Sequence, residues 1–133
     1  MIVDTSAIVA VLQDEDDAAA LNELLGAYTS CISASTLVEA RVVVNARTGA
    51  SGLLRLDALL RRYGTDVAAF DREQADVAGD AYRLYGRGSG HPAKLNIGDT
   101  FSYALAAVRD EPLLYVGDDF SHTDIRSALE EYA

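Results

Sequence analysis

Five carboxylates stand where a cleft-forming fold can use them. Asp4 follows the apolar pair Ile2-Val3 in "MIVDTSAIV". Glu39 lies in "STLVEA", with Ser35, Thr36, Val42 and Val43 one helical turn away and Val38 beside it. Asp99 follows "LNIG", and the doublet Asp118-Asp119 follows the apolar run in "LLYVGDDF". Acids brought together raise one another's pKa values, and a divalent cation relieves that repulsion. An all-oxygen donor set suits Mg²⁺ or Mn²⁺ rather than zinc. Such a cation can activate water and stabilise a leaving oxygen, which is the chemistry of phosphodiester hydrolysis.

Each acid also has a structural reading. Asp4 is a good N-cap for a helix beginning near Ser6, and Asp99 for the helix that begins at "DTFSYALAAVRD". Glu39 can pair with Arg41 at the surface. A glutamate left unpaired on so apolar a segment needs a cation, a proton or strong hydrogen bonds. Asn96, three residues before Asp99, offers a neutral oxygen ligand or a way to fix the loop.

The elements that must position these acids alternate between strand and helix. "MIVD", "SCIS", "DVAAF" and "PLLYVG" read as short buried strands. Residues 6–12 form a brief helix, and "DEDDAAALNELLGAY" places Leu21, Leu24, Leu25 and Tyr28 on one face of the next. "ASTLVEARVVVNARTG" is a helix stopping at Gly49, and "SGLLRLDALLRRYG" another stopping at Gly64. "DREQADVAGDAYRLYG" is a helix with Asp71 as its cap, and "DTFSYALAAVRD" a further one. "RGSGHPAKLNIG" is a glycine-rich loop. The alternation predicts an α/β fold, a short parallel sheet flanked by helices in three α/β/α layers, over one domain spanning 1–133. In such sheets ligands bind beyond the carboxyl ends of the strands, where Asp4 and the doublet lie.

Composition narrows the function classes. Half of the 133 residues are apolar, enough for a packed core. No apolar stretch approaches the ~20 residues needed to span a bilayer, and the N-terminus lacks the pattern of a signal peptide, so a soluble cytoplasmic protein without a membrane partner is expected. The single cysteine, Cys31, excludes an internal disulfide and reads as a small core residue; with only two histidines it cannot build a zinc site. The net charge of −10 argues against broad electrostatic binding to nucleic acid. That charge is uneven: residues 41–94 hold nine bases against six acids, about +3, while the remainder carries about −13.

"MIVDTSAIVAVL", "STLVEA", "LNIGDTFSYALA" and "LLYVGDDFSHTDI" together resemble the four motif blocks of PIN-domain ribonucleases, and within them the VapC toxins of VapBC toxin–antitoxin modules. The blocks cover nearly the whole chain in the right order. The resemblance implies a Mg²⁺- or Mn²⁺-dependent endoribonuclease with an acidic pocket. Carried across, Asp4 and Asp99 are the principal metal ligands, and Glu39 acts through a second metal or through water. The fourth acid is Asp119, just before Phe120, with Asp118 as the competing choice. Thr5 and Ser6 would hydrogen-bond the pocket carboxylates or a phosphate oxygen. The family further implies an RNA substrate, a homodimer, and inhibition by a VapB-type antitoxin that can place a basic side chain in the pocket. The −13 region suits such a basic partner, and the leucines of 53–60 could serve either a dimer interface or the core.

Other features are set aside. Asp14–Asp17, "DEDD", resembles an exonuclease quartet, but four consecutive helical residues diverge; a role at the positive end of a helix dipole is expected. "GRGSGH" lacks the strand and the Lys-Ser/Thr of a phosphate loop; it reads as a connection, bordering the RNA path with Arg87 and Lys94. His91 and His122 read as surface histidines. An aspartate-nucleophile phosphotransferase like the haloacid dehalogenases would need a second Asp where Ser6 stands. A non-catalytic binding or receiver-like signalling domain would want its acidic pair near the start of the chain, whereas here the doublet comes last.

Overall fold

The computed structural model describes residues 1–132. Among these, four short strands form one parallel sheet: β1 (Ile2–Val3), β2 (Cys31–Ser33), β3 (Asp66–Ala68) and β4 (Leu113–Leu114), in the order β3-β2-β1-β4. The helices are α1 (Thr5–Leu12), α2 (Ala18–Ala27), α3 (Ala34–Arg62), α4 (Arg72–Tyr85), α5 (Ile97–Arg109) and α6 (Ala128–Glu131). A 3₁₀ turn covers Phe120–His122.

Successive strand residues point to opposite faces, so each strand feeds two cores. Val3, Ile32 and Leu114 join residues of α1, α2, α3 and α6 on one face. Ile2, Cys31, Ala68 and Leu113 join residues of α4 and α5 on the other. This is the expected three-layer α/β/α arrangement. It explains why β1 and β4 are continuously apolar rather than alternating: both their faces are covered, whereas the edge strand β3 exposes Asp66 and Val67. β1 is central, with β2 on one side and β4 on the other. The strand order therefore reverses at β1, and a crevice opens beyond its carboxyl end.

Several local expectations are refined. The two helices predicted on either side of Gly49 follow one another without a linker; Gly49 breaks the run with φ 66° and ψ −153°, a conformation open essentially to glycine. The leucines of 53–60 serve mainly the core: Leu56 and Leu59 are buried, Leu53 and Leu60 pack against the same cluster, and Leu54 alone is largely exposed. Asp14–Asp17 lie in turns before α2 rather than on it, and Asp17 occupies the cap position without a side-chain cap bond. Asp71 caps α4, accepting from the Gln74 amide at 3.0 Å. Cys31 is buried. Among the described residues no helix is long and apolar enough to cross a membrane.

Candidate active site

Asp4 leaves β1 with its amide donating to the Leu114 carbonyl at 3.0 Å, which fixes the strand end against β4. Its side chain caps α1: Oδ2 accepts from the Ser6 amide at 3.0 Å and the Ser6 hydroxyl at 2.6 Å. The same Ser6 Oγ accepts from the Val116 amide at 3.2 Å, tying the segment after β4 to the carboxylate. Oδ1 accepts from the Ser102 hydroxyl of α5 at 2.6 Å, and Ser102 Oγ lies 3.1 Å from Thr36 Oγ1 on α3. Asp4 is thus a helix cap and a cleft residue at once, held by three elements and only 3 % exposed.

Glu39 is half-buried on α3. Arg41 does not pair with it; that guanidinium bonds Asp57 at 3.0 Å. Glu39 Oε1 instead accepts from the Thr5 hydroxyl at 2.5 Å. Burial, and to a lesser degree the Asp4 charge, push its pKa up against the opposing Thr5 bond.

Asp99 does not open its helix. α5 begins at Ile97, and Asn96 is the N-cap: its Oδ1 accepts from the Asp99 amide at 2.9 Å while Asp99 Oδ2 accepts from the Asn96 amide at 3.0 Å. This reciprocal capping box places Asp99 at the third position of the helix, within its first turn. Its pKa is pushed up to about 7, chiefly by burial; the Asn96 bond opposes this, and the charges of Asp4, Asp119 and Glu39 add to it. Within the doublet, Asp119 is therefore the residue whose charge reaches Asp99, whereas the charge of Asp118 is felt by Tyr115. Both doublet side chains are exposed.

Asp4, Thr5, Ser6, Glu39, Asn96 and Asp99 line one open cavity of about 320 Å³ at the carboxyl end of β1. Glu15 and Arg47 line it too, and Arg47 donates to Gln13 Oε1 at 3.3 Å. Among the described residues, Asp4, Glu39 and Asp99 form no ion pair with a basic side chain, although Arg47 shares the cavity wall. Among the described residues, no group of three or more His, Cys, Asp or Glu side chains is arranged to hold a metal ion. The donor chemistry nevertheless fits a hard cation. Asp99 Oδ1 carries no hydrogen bond, Asp4 keeps acceptor capacity on Oδ1, and Mg²⁺ usually takes only one or two carboxylates and retains several waters.

Reading along the chain missed Ser102, Thr36, Gly98, Glu15 and Arg47. Two of these had a signal. Ser102 is a polar residue in the apolar run of "DTFSYALAAV", three positions from Asp99, and Thr36 stands three positions before Glu39, so both share a helical face with a site acid.

A PIN-domain family model matches residues 1–126. The chain is 54% identical over 129 residues to ribonuclease VapC42 of Mycobacterium tuberculosis, covering 96% of this chain and 98% of the relative. It is 47% identical to ribonuclease VapC28 of the same species, covering 98% of each. Two solved structures share the fold at 18% identity. One is Mycobacterium tuberculosis VapC20, described as a Sarcin-Ricin loop cleaving toxin, with TM-score 0.73 over 93% of this chain and 95% of that one. The other is Rickettsia felis VapBC2 bound to a DNA fragment from its promoter, with TM-score 0.72 over 95% and 94%.

Proposed function

This chain belongs to the PIN-domain family, in its VapC branch, and we propose that it is a divalent-metal-dependent endoribonuclease whose reaction centre is the acidic cavity beyond β1. The observation that carries the proposal is the juxtaposition of Asp4, Glu39 and Asp99 from three separate elements in one cavity, none of them neutralised by a basic partner. Family membership supports the nuclease reading, since the relatives at 54% and 47% identity are named ribonucleases.

Asp4 and Asp99 would hold Mg²⁺ or Mn²⁺. The bound cation supplies positive charge that acidifies water and offsets charge developing on the phosphate. The chain's own groups do the rest. Ser6 and Ser102 keep the Asp4 carboxylate fixed, so it need not reorganise during the reaction. Thr5 orients Glu39, whose raised pKa suits it to accept a proton from an attacking water. Asp119 contributes the fourth charge at the exposed rim, and Asn96 holds Asp99 in place.

The same reading assigns the chain to the toxin half of a cytoplasmic toxin–antitoxin pair. A VapB-type antitoxin with a basic side chain in the cavity would supply the missing counter-charge and exclude RNA. The chain would act as a homodimer. Mapping RNA 5′ ends after induced expression, against an Asp4→Asn control, tests the proposal: new ends confined to the wild type support it, and identical ends in both overturn it.

A further inference from the structure

We propose a second anionic-ligand site, separate from the acidic cavity: the loop between α4 and α5 holds a backbone phosphate of the RNA strand flanking the scissile bond. The inference rests on the ribonuclease reading above and deepens it. A cavity of about 460 Å³ is lined by Arg87, Gly88, Gly90, His91, Pro92 and Lys94, with no carboxylate among them. In a chain of net charge −10 an acidic reaction centre repels the polyanion it must hold, and a cationic cluster offsets that repulsion. Several arginines elsewhere are engaged: Arg41 with Asp57, Arg47 with Gln13, Arg55 with the Leu12 carbonyl, Arg72 with Asp76, and Arg126 with Asp110 and Glu131. Among the described residues, Arg87 and Lys94 pair with no carboxylate, and both are exposed.

The loop is built rather than loose. Gly86 and Leu95 form a bridge, with the Arg87 amide donating to the Leu95 carbonyl at 3.0 Å and the Leu95 amide to the Tyr85 carbonyl at 2.9 Å. Leu95 and Ala93 are buried, anchoring the returning arm. The Ser89 hydroxyl donates to the Gly86 carbonyl at 2.6 Å and accepts from the His91 amide at 3.1 Å. His91 Nδ1 accepts from the Ala93 amide at 3.1 Å, so the neutral ring carries its proton on Nε2 and keeps a donor for a ligand. Its ring stands edge-on to Tyr85, with centroids 4.8 Å apart. Two cations and one imidazole donor on a pre-bonded loop suit a phosphate, because little ordering remains to be done on binding.

The site also lies close to the reaction centre. Lys94 lines the basic cavity and Asn96 the acidic one, and two residues of chain span at most about 7 Å. The loop would then hold a flanking phosphate of a strand whose scissile phosphate enters the acidic cavity.

The test measures binding of a single-stranded RNA oligonucleotide, in Mg²⁺ and at several salt concentrations, by the full chain carrying Asp4→Asn to prevent turnover. Adding Arg87→Gln and Lys94→Gln should weaken binding and make the plot of log affinity against log salt shallower by about 0.7, the loss of one phosphate contact on a single strand. Arg87→Lys with Lys94→Arg should retain the slope, and both variants should melt like their parent. Unchanged affinity and slope in the double Gln variant, with RNA cleavage intact in the wild type, overturns the loop site and leaves the ribonuclease reading standing. Loop-dependent binding by a wild type that cleaves no RNA does the reverse. No RNA binding by the Asp4→Asn parent overturns the loop site.

Discussion

The carboxylate of Glu39 occupies the space that a side chain at position 98 would need: a Cβ built on Gly98 would lie 1.5 Å from Glu39 Oε2. The two residues come from α3 and from the first turn of α5, so the missing Cβ is what lets a helix-borne carboxylate lie against the start of another helix. That terminus, where amide dipoles converge, is a favourable place for an anion. Gly98→Ala should therefore act through Glu39. The obstructing atoms are the end of a flexible side chain, so the fold survives and the carboxylate swings aside. RNA cleavage should fall by on the order of tenfold to a hundredfold while the circular dichroism spectrum is kept. Full activity in a folded Gly98→Ala protein would contradict this.

Ser102→Ala removes a hydroxyl that bridges two buried groups. Ser102 Oγ donates to Asp4 Oδ1 and lies against Thr36 Oγ1, and all three residues are buried. The loss should destabilise the metal-free protein by about 2 kcal/mol, because a buried acceptor is left without its partner. Denaturant unfolding of the wild type and Ser102→Ala measures it; Ser102→Thr, which restores a hydroxyl, should recover part.

Metal-free stability should depend on pH with a sign set by the site acids. Asp99 is raised from 3.8 to about 7 in the fold, so the folded state binds the extra proton between those values. Its favourable contribution is complete below the unfolded pKa and is lost as pH rises through about 7. Glu39, also raised by burial, acts in the same direction. The melting temperature in EDTA should fall from about pH 5 to about pH 8, and Asp99→Asn, which keeps a carbonyl acceptor for the Asn96 amide, should flatten the fall. Mg²⁺ or Mn²⁺ at the upper pH should raise the melting temperature of the wild type and not of Asp4→Ala/Asp99→Ala. A wild-type melting temperature that is insensitive to both pH and metal would contradict the buried, uncompensated site.

The doublet should prove unequal. The charge of Asp119 reaches Asp99, whereas that of Asp118 is felt by Tyr115. Asp119→Asn should therefore lower the cleavage rate several-fold more than Asp118→Asn, measured side by side at saturating metal. Equal losses, or a larger loss at Asp118, would move the fourth charge to the other residue.

Much of this was legible along the chain because the signals were local. Continuous apolar runs ending in acids marked the strands and their carboxyl ends, and helix periodicity marked the cover. Local signals failed where contacts were long-range. Nothing near Glu39 in sequence shows that Arg41 turns to Asp57, sixteen residues on, or that the relevant neighbour is Gly98. Asp99 was misplaced at its helix start because a capping box puts a good cap residue, Asn96, and an acid at N3 in the same motif, and either can be taken for the cap. Asp4 shows that a helix cap and a cleft residue need not be alternatives: α1 takes one oxygen and α5 the other.

The most direct measurement is the initial rate of cleavage of labelled RNA by the purified, antitoxin-free protein, with Mg²⁺ or Mn²⁺ and with EDTA, alongside Asp4→Asn. The account predicts endonucleolytic cleavage that requires the metal, stops in EDTA and falls by on the order of a hundredfold or more in the variant. Cleavage that persists unchanged in EDTA, or an Asp4→Asn protein as active as the wild type, would contradict it.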